Sequence, residues 1–166
     1  MKFSNIVLLV LLPFVLFAHG DKKHKENNST ISITKNAKEL KSERLYQDIN
    51  KSYVETIKPI FENKCFDCHG TLGTYPWYYK IPGIKQMIEY DMKEAKKHLD
   101  MEKDFPFISH ETPLEDLQSL KEVALEGDMP PFRYLLGHWD ASLTKDEKEK
   151  LIKWTQESID KLEAKK

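Results

Sequence analysis

From Leu45 the larger apolar positions fall four residues apart, at Leu45, Ile49, Tyr53 and Ile57, with polar residues filling most of the gaps. A step of four along one stripe is how a helix that buries a single face is written. It predicts a helix over residues 42–58. Pro59 should end or bend it, because proline has no N–H to donate and crowds the carbonyl four residues back. The period returns at Ile84, Met87, Ile88, Met92, Ala95 and Leu99, so residues 84–101 read as a second helix with Met87 and Met92 in the core. Two more helices carry start signals. Thr112-Pro113-Leu114-Glu115 combines an N-cap, a proline at the first helical position and a glutamate at the third, a capping box whose helix should run to Glu126 and stop at Gly127. Thr144-Lys145-Asp146-Glu147 opens the last helix, whose stripe is Leu151, Ile152, Thr155 and Ile159 with Trp154 and Leu162 on its flank. Strand-like alternation is not seen.

The connections are the odd part. Residues 71–83 hold glycine, proline and aromatics without a helical period, and Gly127-Asp128-Met129-Pro130-Pro131 cannot be a regular helix interior. The fold class is therefore all-α, one small domain over residues 45–166 with long irregular loops. Self-sufficient helical bundles have short loops and fuller apolar faces. A large apolar cofactor in the middle would account for the shortfall.

The N-terminus reads separately. Lys2 precedes a 13-residue apolar run, Ile6 to Ala18, and Ala18-His19-Gly20 presents small residues for cleavage before Asp21. Residues 1–20 fit a signal peptide better than a membrane span, which needs ~18 apolar residues or more. The expected location is the periplasm, with membrane contact only if that segment is kept. Residues 21–44 are rich in Lys and Asn and read as a polar tether. The formal charge of −1, or about −2 without Lys2, offers nothing to a nucleic acid.

Both cysteines of the 166-residue chain lie in Cys65-Phe66-Asp67-Cys68-His69-Gly70. A redox dithiol would need strands around it, zinc or an iron–sulfur cluster would need more ligands, and a disulfide here would close a tiny loop. Cys-x-x-Cys-His has a further meaning, covalent attachment of a c-type haem. Cys65 and Cys68 would form the thioethers, and His69 would ligate the iron from the proximal side. One motif implies one haem.

The other face of the iron needs a ligand too. Met129 sits outside any helix stripe, in a segment stiffened by two prolines, and far enough along the chain to return on the opposite side. His138 is the alternative. Trp77 and Tyr78, in Tyr75-Pro76-Trp77-Tyr78-Tyr79, are candidates for the haem edge, and Arg133 for a propionate. Trp154 fits either a haem wall or helix packing.

In the order KPIFENKCFDCHG, YPWYYKIPG, EGDMPPFRYLLGH and LTKDEKEKLIKW, the chain resembles the bacterial haem-binding domain family of small exported mono-haem c-type cytochromes. The resemblance covers residues 45–156. It implies an all-α fold similar to class I cytochromes c, attachment at Cys65 and Cys68, His69 as proximal ligand and Met129 in the distal position. The expected activity is periplasmic one-electron transfer with transient protein redox partners. The alternative is a peroxidase-like enzyme or a small-ligand sensor with an open or labile distal site.

Overall fold

The computed structural model describes residues 27–164. The segment read as a signal peptide lies outside them. By backbone packing the chain divides between Asn36 and Ala37, and the cysteine motif and the core both belong to the part from Ala37 onward. Among the described residues no helix is long and apolar enough to cross a membrane.

The first helix, α1, is Asn27–Ser52. It begins inside the stretch expected to be a tether. The stripe behaves as predicted from Ile49 onward: Ile49, Tyr53 and Ile57 are buried, and Leu45 packs against them. At Pro59 the helix does not stop. Residues Tyr53–Ile57 widen into a π turn, with Lys58 N–H reaching back five residues to the Tyr53 carbonyl, and α2 (Lys58–Lys64) follows with the proline in its first turn. Widening the turn is one way for a helix to pass a residue that cannot donate.

After α2 come α3 (Phe66–His69), a 3₁₀ turn (Trp77–Lys80) and α4 (Ile84–His98). The strand-free expectation needs a small correction. Leu99–Asp100 (β1) pairs antiparallel with Ile108–Ser109 (β2), Leu99 opposite Ser109. Two residues per strand are too few for alternation to register in sequence. Both capping boxes form as predicted, on α5 (Pro113–Glu126) and α7 (Lys145–Glu163). Gly127 closes α5 in the left-handed conformation, φ 79°, that a side chain would oppose. A single turn, α6 (Phe132–Leu135), lies between α5 and α7.

The core sits where α5 packs on α7 and α7 packs on the π turn. Tyr53, Phe61, Phe105, Phe107 and Trp154 meet there edge-on or tilted, with ring centroids 5.2–6.1 Å apart. Trp154 thus serves helix packing, and its indole N–H donates to Ser52 Oγ at 3.1 Å. The hydroxyl of Tyr53 is buried with no hydrogen-bond partner. Met101 joins the core at β1's end. Helix α4 is the exception: none of its residues is buried.

Candidate functional site

The Cys-x-x-Cys-His motif is built on one turn. Cys68 N–H and His69 N–H both donate to the Cys65 carbonyl, at 3.1 and 2.9 Å, so residues 65, 68 and 69 sit on neighbouring positions of the same face. Cys65, Cys68 and His69 all line one cavity of about 360 Å³. Leu120 and Val123 of α5 also line it, as do Met129 and Pro130. Both cysteines are free thiols. Burial pushes the Cys65 thiol up to about 12, with the neighbouring Cys68 adding to the effect, and burial raises Cys68 as well. A redox dithiol needs the reverse, a thiol lowered towards neutrality.

His69 is the most tightly directed member. Its Nδ1 donates to the Leu99 carbonyl at 2.7 Å. That fixes the tautomer and leaves the Nε2 lone pair free to ligate a metal. Burial lowers its pKa, with the Leu99 bond opposing, so the imidazole is neutral. Met101 N–H donates to the His69 carbonyl, also at 2.7 Å, and holds the end of α3 from the other side. Gly70 follows for a steric reason. A Cβ there would sit 2.6 Å from Cγ of the Phe66 ring.

Met129 is placed on the same cavity as His69 and is 48% exposed. His138 is elsewhere. Its Nδ1–H donates to the Tyr134 carbonyl at 3.1 Å and its Nε2 accepts from Tyr78 Oη–H at 2.8 Å, so neither ring nitrogen is spare. The remaining candidates are not gathered around His69. Trp77 is 77% exposed and lies edge-on to Tyr78, because the 3₁₀ turn presents it outward. Arg133 binds both carboxylate oxygens of Asp91 on α4, and so is an internal clamp rather than a group at the His69 cavity. Tyr78 and Arg133 border a second cavity of about 570 Å³. That cavity explains α4. Met87 and Met92, expected in the core, line it together with Ile84 and Ile88, and Met87 stays half exposed.

Sequence reasoning missed Asp67, Tyr134, His98 and His110 as site residues. His98 and His110 also line the His69 cavity, with ring centroids 5.7 Å apart. Asp67, between the two cysteines, accepts from Tyr134 Oη–H. No spacing rule joins residues 67 positions apart.

The donor set fits a haem. Two un-ionised thiols, an oriented neutral imidazole and a thioether line one predominantly apolar cavity. A predominantly helical chain with such a site falls in the class of small haem proteins with a cytochrome-like fold. The chain belongs to the haem-binding domain family, which it matches over residues 17–157. Over 95 residues it is 32% identical to the cytochrome c peroxidase Ccp of Escherichia coli (strain K12), a match covering 56% of this chain and 20% of that protein. The chain thus spans about a fifth of the length of that relative. No solved structure matches it.

Proposed function

We propose that the chain is a mono-haem c-type cytochrome of the periplasm that passes single electrons between transient protein partners. Cys65 and Cys68 would hold the haem covalently, and His69 and Met129 would ligate its iron. The observation that carries this reading is the meeting of those four residues on one cavity, with His69 already oriented by Leu99.

The bound haem supplies a one-electron iron couple. The chain's own residues do the rest. The Leu99 carbonyl keeps the His69 ring from rotating, so its Nε2 would be presented to the iron in one fixed orientation. Apolar side chains of α5 keep water from one wall. Pro130 and Pro131 limit the freedom of the segment that presents Met129, which matters because a thioether is a weak ligand. No general base is called for. Residues 1–20 support export, where covalent attachment takes place.

A second reading has one observation in its favour, the similarity to a cytochrome c peroxidase. It makes Met129 a labile ligand and the protein a peroxidase-like enzyme or small-ligand sensor. Spectra of the purified protein in both oxidation states separate the two. Electron transfer with His/Met ligation requires a low-spin spectrum and a weak far-red sulfur-to-iron band that is lost in Met129→Ala. A high-spin oxidised form that responds to peroxide or cyanide would favour the second reading. Mass spectrometry of the mature chain tests for one attached haem and for cleavage after Gly20.

A further inference from the structure

The segment that carries Met129 is tied back to the haem motif by one aromatic residue. Tyr134 lines both cavities, as do Asp67 and Cys68. Its N–H donates to the Pro131 carbonyl at 2.9 Å, so it is linked to Met129 through two prolines of fixed φ. Its hydroxyl donates to Asp67 Oδ2, on the turn that holds both cysteines. Haem attachment needs no particular residue at position 67, so its carboxylate is free for another task. The ring of Tyr134 is stacked on that of His138, centroids 4.1 Å apart and planes 11° off parallel. His138 in turn holds the Tyr134 carbonyl through Nδ1 and the Tyr78 hydroxyl through Nε2. Tyr134 is therefore fixed at its hydroxyl, its ring face, its N–H and its carbonyl.

We propose that Tyr134 is a positioning residue for the sixth ligand, using its hydrogen bond to Asp67 to hold the Met129 segment over the haem face and keep external ligands out. The inference rests on Met129 being that ligand. A bond from a tyrosine to a carboxylate is charge-assisted and stronger than a neutral one. It joins the distal segment directly to the proximal helix, so its loss should loosen the methionine without touching the attachment chemistry.

The test uses the full-length, haem-loaded protein and titrates imidazole into its oxidised form, following the absorption spectrum. Tyr134→Phe and Asp67→Ala should each bind imidazole about tenfold more tightly than the unmodified protein, the fold-change expected from one charged hydrogen bond. The double variant should match the singles, because both remove the same bond. Ile159→Ala, a core variant of α7 away from both cavities, should melt earlier yet bind imidazole unchanged. Additive effects in the double variant, no change in the singles, or a tenfold effect in Ile159→Ala would each overturn the proposal. Failure of the underlying reading shows separately, as absence of the far-red band before any substitution or its survival in Met129→Ala.

Discussion

The imidazole of His69 donates from Nδ1 to the carbonyl of Leu99, 2.7 Å away, and the N–H of Met101 returns to the carbonyl of His69 at the same distance. Leu99 belongs to β1, whose pairing with β2 fixes where that carbonyl points. The two-residue strand pair, slight as a piece of fold, is thus what aims the ring at the cavity.

Removing the ring should leave the aiming device intact. On the proposed reading, His69→Gly leaves the attachment residues Cys65 and Cys68 untouched, so mass spectrometry should still find a haem attached, while the spectrum loses its nitrogen ligand. Added imidazole should restore a low-spin spectrum, since the Leu99 carbonyl can orient the free ring as it does the tethered one. Failure of imidazole to restore the spectrum would mean that Leu99 does not orient the proximal ring.

Gly70→Ala tests how closely the motif is packed. Its φ of −120° suits any residue, so the objection to alanine is contact alone. The Cβ would lie within 2.9 Å of three Phe66 atoms near the base of the side chain, where rotation offers little relief. Overpacking of this kind costs roughly 1–3 kcal/mol. Denaturant unfolding should show a loss in that range, and a variant as stable as its parent would mean Phe66 moves freely.

The elements whose signals are local were legible in the sequence. The capping boxes at Thr112 and Thr144, the stop at Gly127 and the Cys65–His69 turn each depend on residues within a few positions of one another. What escaped depends on distant partners. Nothing near Arg133 announces Asp91, and nothing near Asp67 announces Tyr134. Helix α4 misled for a different reason. Its stripe is apolar because it lines a cavity, and periodicity cannot distinguish that from a stripe buried against protein.

Tyr53→Phe should stabilise the protein. The hydroxyl is fully buried and unpartnered, and burial raises its pKa strongly, with Asp104 and Cys65 adding to the effect. It brings the desolvation cost of a polar group without a hydrogen bond in return. The ring contacts with Phe61, Phe107 and Trp154 survive in phenylalanine. A gain of roughly 1 kcal/mol is expected from unfolding curves. A clear loss would reveal a partner, such as an ordered water.

Asp116 predicts a pH dependence with a definite sign. Its side chain is only 4% exposed, and burial raises its pKa above the ordinary 3.8, while a hydrogen bond from Ser109 at 3.0 Å works the other way. Glu111 and Glu115 push it further up and His110 pulls it down. Between pH 3.8 and that raised value the folded chain therefore keeps a proton that the unfolded chain has released. Stability from this group is full below pH 3.8 and falls as pH rises from there through the raised folded-state value. In Asp116→Asn the amide oxygen can still accept from Ser109 and nothing titrates. The variant should be more stable than its parent at neutral pH, with the gain shrinking to nothing as pH drops below 3.8. Thermal melts of both proteins across that range decide it. A gain that stayed constant with pH would show that shape, and not the buried charge, set the difference.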